Sequence, residues 1–85
     1  MRHTIEFTVS ALREFRSLEP KVQHRISAQI AELSESPFPA GVKKLQGEPN
    51  HWRIRVGDYR IVYRMEKHRL VIVVVRIGHR REVYR

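Results

Sequence analysis

Cysteine is absent from the 85 residues, which excludes disulfide frameworks, thiolate metal sites and cysteine nucleophiles. Long apolar runs are missing as well. The longest is Leu70–Val75, six residues, against the roughly 20 that a membrane-spanning helix requires. No leader of charged and then apolar residues opens the chain. The histidines, at 3, 24, 51, 68 and 79, never fall two to a helical turn, so no metal site is expected. Paired carboxylates, a glycine-rich phosphate loop and a serine nucleophile elbow are all lacking. The expectation is a soluble, cytoplasmic protein folded as one domain over residues 1–85, with no cofactor, no metal and no membrane partner.

Acidic residues are scarce, nine against seventeen lysines and arginines, for a net charge of +8. The excess is lopsided. Residues 1–50 carry seven basic and six acidic side chains, whereas residues 51–85 carry ten basic and three acidic ones. Nine of those ten bases are arginine, the side chain suited to bidentate phosphate contact and to stacking on bases. Solubility alone has no need of such asymmetry; a polyanionic partner does.

The order of elements follows from periodicity. Residues 2–8 alternate, with His3, Ile5 and Phe7 on one side, as a strand does. Thr8 or Ser10 is placed to cap a helix in which Ala11, Leu12, Phe15 and Leu18 recur at helical spacing. Pro20 suits the first turn of a second helix, whose stripe is Val22, Ile26, Ile30 and Leu33 and whose end falls near Ser36-Pro37. The spacing predicts an antiparallel helical hairpin. Residues 36–50 hold three of the four prolines and two of the four glycines and read as a long connection. Strands follow: Trp52–Val56, Tyr59–Glu66 and Arg69–Ile77, the last ended by Gly78, then a short extended piece over Glu82–Arg85. The fold class is α+β, in the order β-α-α-β-β-β, with the helical hairpin packed on one face of a small, mostly antiparallel, twisted sheet.

Register carries the functional reading further. With Gly57-Asp58 as a two-residue type II′ turn, Val56 faces Tyr59, Ile54 faces Ile61 and Trp52 faces Tyr63. Every pair is apolar or aromatic, which supports the alignment. The same register sets Arg55 directly opposite Arg60, and Arg53 opposite Val62, so three arginines share one face. Like charges opposed across a sheet cost some tenths of a kcal/mol up to about one, and an anionic ligand offsets that repulsion. The tail, Gly78-His79-Arg80-Arg81-Glu82-Val83-Tyr84-Arg85, adds bases, an aromatic ring and a histidine at the same end of the sheet.

The blocks Lys44-Leu45-Gln46-Gly47, Trp52 through Tyr63, and Gly78-His79-Arg80-Arg81-Glu82-Val83-Tyr84 together resemble the RelE/ParE toxin superfamily, its RelE branch in particular, over nearly the whole chain. That resemblance implies the toxin of a type II toxin–antitoxin pair. Such a toxin enters the ribosomal A site and cleaves messenger RNA by attack of the 2′-hydroxyl on the adjacent phosphorus. An acidic, RelB-like antitoxin wraps and neutralises it. By position, the family's basic pair falls on Arg53 and Arg55, its strand arginine on Arg60, its loop arginine on Arg80 and its C-terminal tyrosine on Tyr84. Arg60 and Arg80 would clamp the scissile phosphate, and Tyr84 would stack on the cleaved nucleotide. Some relatives carry lysines in the basic pair. Arginine is a poor base, so here the pair would supply charge, leaving proton transfer to His79 or Tyr84. Lys43, Lys44, Arg53, Arg55, Arg81 and Arg85 form the expected RNA-binding surface. The alternatives are a ParE-type inhibitor of DNA gyrase and an RNA-binding protein without catalysis.

Overall fold

The structure is a computed structural model that describes residues 2–66 and 68–79. It consists of β1 (Thr4–Phe7), α1 (Val9–Arg16), α2 (Pro20–Glu35), β2 (Lys43–Lys44), β3 (His51–Val56), β4 (Tyr59–Glu66) and β5 (Val71–His79). The five strands form one sheet in the order β1-β5-β4-β3-β2. The last four run as an antiparallel meander, and β1 lies parallel to β5. The two helices carry the chain from one edge of the sheet to the other, and the meander brings it back beside β1.

The hairpin register agrees with the expectation pair for pair, from Trp52 opposite Tyr63 to Val56 opposite Tyr59, with Arg55 opposite Arg60. Gly57 has φ +61, the left-handed value that a type II′ turn requires at its first central residue. The extra strand β2 lies in the segment read as a connection. Two residues long, it pairs Lys43 with Arg53 and Lys44 with Trp52. Nothing that short has a period to detect.

Thr8 caps α1: its hydroxyl accepts from the Ala11 N–H at 3.1 Å. Ala11, Phe15 and Leu18 turn inwards, but Leu12 is exposed, since one residue after Ala11 is about 100° round the helix. Pro20 opens α2, which buries Ile26, Ile30 and Leu33. Gln23 Nε2 donates to the carbonyls of Phe15 and Arg16 at 3.1 and 3.3 Å, tying the second helix to the end of the first. The core lies between the helices and one face of the sheet, where Ile54, Ile61, Tyr63, Met65, Ile72, Val74 and Ile77 meet α1 and α2.

β5 starts and ends later than expected. Leu70 has φ +52, which breaks the strand into a turn before Val71, and pairing continues through Gly78 to His79. Within it the register with β4 shifts between Val62 and Tyr63: Val62 faces Arg76, while Tyr63 faces Val74. Val75 is the extra residue of a β-bulge. Thr8 holds it, through an N–H to the Val74 carbonyl at 3.0 Å and a hydroxyl to the Val75 carbonyl at 3.1 Å. The segment 82–85 expected to be extended lies outside the described residues.

Tyr63 is fully buried and donates its phenol to the Pro37 carbonyl, fixing the exit of α2 to the centre of the sheet. Burial raises its pKa from 10.0 to about 12. A raised folded-state value favours the neutral form, so this contribution is intact below pH 10 and is lost between pH 10 and 12. Tyr63→Phe is expected to lose about 1–3 kcal/mol by orphaning the carbonyl and to abolish that alkaline step. Chemical denaturation of both proteins across pH 8–12 measures the two effects.

Candidate nucleic-acid interface

The sheet face away from the helices is laid out by strand alternation. Reading across from β2 to β5, one row is Lys43, Arg53, Val62 and Arg76. The row nearer the hairpin turn is Arg55, Arg60 and Gly78, and the row on the other side is His51, Arg64 and Val73. Six basic side chains therefore stand on one surface. Adjacent rows are two residues apart along a strand, about 6.6 Å.

Arg53 and Arg60 are each only 6% exposed, whereas Lys43 and Arg55 are exposed. This difference has an electrostatic meaning. A phosphate that meets a buried guanidinium meets it with little intervening water, and the lower effective dielectric strengthens their attraction. Gly78, directly opposite Arg60, puts no side chain on the face there. Among the described residues, no carboxylate lies within ion-pairing distance of Lys43 or Arg55.

Three further bases are ion-paired among the described residues. Arg64 pairs with Glu66 at 3.2 Å, and Arg69 bridges Glu66 and Glu6 at 2.6 and 3.4 Å. Hydrogen bonds from Arg69 and Arg64 hold the Glu66 carboxyl below its usual range, and Glu66 in turn raises Arg69. Arg76 pairs with Glu14 of α1 at 3.2 Å, and the other oxygen of that carboxylate accepts the Ile77 N–H at 2.8 Å. Glu14 thus replaces the missing strand beside β5 where β1 has ended. The turn end of the hairpin gathers Arg53, Arg55 and Arg60, while at the far end Arg64 and Arg69 are ion-paired with Glu66 and Glu6.

Two expected site residues lie elsewhere. His79 pairs with Tyr59, its ring edge-on to the tyrosine at 5.6 Å, and Tyr59 packs on the core side. The Val75 bulge inverts the alternation after it, carrying His79 off the arginine face and bringing Arg76 onto it. Lys44 likewise faces the helical side, with Nζ 5.8 Å from the centre of the Trp52 ring; only Lys43 of that pair shares the face with Arg53. Arg80, Arg81, Tyr84 and Arg85 lie outside the described residues. Sequence reasoning missed Arg64, which the alternation of β4 places on the same face as Arg60. It also missed Arg76, which no pattern reveals without the bulge. Among the described residues, no three His, Asp or Glu side chains gather as a metal would need, and no helix is long and apolar enough to cross a membrane.

A sequence profile for the ParE toxin of type II toxin–antitoxin systems, parDE, matches residues 5–84. The chain is 32% identical over 88 residues to the mRNA interferase toxin RelE of Escherichia coli K12, covering 99% of this chain and 92% of that protein. It is 28% identical over 86 residues to toxin RelG of Mycobacterium tuberculosis, covering 100% and 99%. The crystal structure of the intact E. coli RelBE toxin–antitoxin complex contains a chain that superposes with a TM-score of 0.80 at 30% identity, over 91% of this chain and 95% of that one. The chain belongs to this family of type II toxins, in its RelE-like branch.

The opposition of Arg55 and Arg60 can be tested directly. Arg55→Glu replaces a like-charge pair with an ion pair and is expected to stabilise the fold by a few tenths up to about 1 kcal/mol. The same change is expected to weaken binding to single-stranded RNA. Thermal melts and fluorescence anisotropy check the two signs, which are opposite only if the arginine face is used for binding.

Proposed function

We propose that this toxin is an endoribonuclease that cleaves messenger RNA on the ribosome and is held inactive by an acidic, RelB-like antitoxin. The observation that carries the reading is the opposition of Arg55 and Arg60 across the hairpin, with Arg53 beside them on the same cationic sheet face. A face of this kind suits a phosphodiester whose charge grows during reaction. The named activity of the E. coli relative and the antitoxin-bound state of its crystal structure support the assignment.

The reaction sets the requirements. The 2′-oxygen bonds to the adjacent phosphorus and gives up its proton, and the bond from phosphorus to the 5′-oxygen breaks. That oxygen takes a proton, leaving a 2′,3′-cyclic phosphate and a 5′-hydroxyl. Between these events the phosphorus carries an additional negative charge, and cations already in place there lower the barrier without reorganising. Arg60 serves as the central electrostatic clamp, with Arg53 and Arg55 spreading positive potential around it. Arginine holds its proton at any ordinary pH, so these three bind and stabilise and do not act as bases. Arg80 as a second clamp and Tyr84 as a stacking ring complete the assignment, carried by their match to the family pattern.

Removing one such donor costs on the order of 10²–10³ in rate. Arg60→Ala is therefore expected to lose toxicity on expression and to slow cleavage of ribosome-bound messages by that factor, with circular dichroism unchanged. Toxicity equal to the wild type would remove Arg60 from the chemistry. Binding to single-stranded RNA is expected to weaken with salt, at a log–log slope of about −0.7 for each phosphate contacted. Mapping 5′ ends of cellular messages after induction separates this reading from gyrase inhibition, which would instead leave messages intact and break DNA.

A further inference from the structure

Removing the proton of a 2′-hydroxyl needs a proton acceptor, and the arginines of the clamp offer none. With His79 on the core side of the sheet, one other imidazole stands on the arginine face. His51 lies two residues before Arg53 on β3 and so shares its face, opposite Arg64. We propose that His51 is the general base of the cleavage, its Nε2 taking the proton of the attacking 2′-hydroxyl. The inference rests on the nuclease reading and adds the proton acceptor which that reading lacks.

The hydrogen bonding of the ring assigns the role of each nitrogen. His51 Nδ1 lies 2.8 Å from the Pro49 carbonyl oxygen. A carbonyl only accepts, so Nδ1 carries the hydrogen and Nε2 of the neutral ring keeps its lone pair. The same bond fixes the ring, as an orienting third group does for a catalytic histidine. Among the described residues Nε2 makes no hydrogen bond. The half-buried ring lines a groove of about 330 Å³ together with Leu45, Glu48, Val62, Val75 and Arg76. Val62 is also the residue directly opposite Arg53, so the groove adjoins the arginine cluster. The charged groups facing the ring are Glu48 of the β2–β3 loop, Arg53 of its own strand, Arg64 of β4 and Arg76 of β5. Arg64 and Arg76 are each held by a carboxylate at 3.2 Å, Glu66 and Glu14, and neither has a lone pair to compete for the proton.

The spacing suits the reaction. An attacking oxygen stands about 3–3.5 Å from the phosphorus, and its base stands about 3 Å beyond that oxygen. The base therefore belongs beside the clamped phosphate, roughly 6 Å away, and not beneath it. One row of the sheet, about 6.6 Å, is that offset, and His51 is one row from Arg53. In the step itself, Nε2 takes the proton while the 2′-oxygen bonds to phosphorus. The bond from phosphorus to the 5′-oxygen then breaks, and that oxygen takes a proton from water. The imidazolium returns its own proton to the solvent, so the ring ends as it began and no other reactant is consumed.

Single-turnover cleavage of messages on programmed ribosomes, with the full chain, tests this. His51→Ala is expected to slow cleavage on the order of 10²–10⁴, with circular dichroism and affinity for single-stranded RNA unchanged. His51→Gln, which keeps the bulk of the side chain without its basicity, is expected to be as slow. Imidazole added to His51→Ala is expected to restore cleavage in proportion to its concentration. Pyrazole, a ring of the same shape and far lower basicity, is not. A message with sulfur in place of the 5′-oxygen at the cut separates base from acid, because a thiolate leaves without a proton. Against that message His51→Ala is expected to keep its full deficit. Wild-type rates in both variants, rescue by pyrazole as good as by imidazole, or a deficit erased by sulfur overturns the assignment of His51 and leaves the nuclease reading in place. A wild-type chain that cuts no message on the ribosome overturns both.

Discussion

The basic sheet face depends on one irregularity, the bulge at Val75. Before it, β5 sends Ile72 and Val74 into the core; after it, Ile77 takes the core position that Arg76 would otherwise fill. An unbroken strand would bury a guanidinium under the helices, and an unpaired buried charge costs several kcal/mol. The extra residue therefore keeps the core apolar and adds a basic side chain to the open face. It is held by the start of α1. Thr8 caps the helix with one lone pair and bonds the bulged carbonyl with its proton, and two turns later Glu14 receives the Ile77 N–H that β1 no longer covers. One short helix thus serves as cap, edge and counter-ion for the strand beside it.

Charge on the sheet face away from the helices is arranged in two regimes. At one end of the sheet, Glu66 and Glu6 neutralise Arg64 and Arg69. Exposed pairs of this kind contribute little to stability, but they limit how far the positive potential extends. At the hairpin end, Lys43, Arg53, Arg55 and Arg60 sit close together, two exposed and two buried. The exposed pair suits attraction of a polyanion from solution, and the buried pair suits contact in a drier environment once it has docked.

Much of this was legible in the sequence because it follows from short-range periodicity. The Gly57-Asp58 turn, the alternation on either side of it and the resulting opposition of Arg55 and Arg60 need no tertiary information. The stripe of α2, the cap at Thr8 and the helix start at Pro20 are equally local. What escaped depends on partners distant in sequence. β2 exists because Lys43 and Lys44 find the edge of β3. Val75 bulges because α1 begins where it does. His79 sits against Tyr59, rather than beside Arg60, because of that bulge. A strand read as uniform assigns every residue after the bulge to the wrong face, which hides Arg76 and misplaces His79 for a single reason.

The pairing of β1 with β5 also governs when the molecule can exist. Thr8 and its bulge partner Val75 are 67 residues apart, and among the strands β1 neighbours only β5. A growing polypeptide therefore carries its first strand without this companion until β5 has been made. Closing so wide a loop is slow, and contacts of this range form late. The sheet is complete only once β5 has been made and has closed on the strand that began the fold.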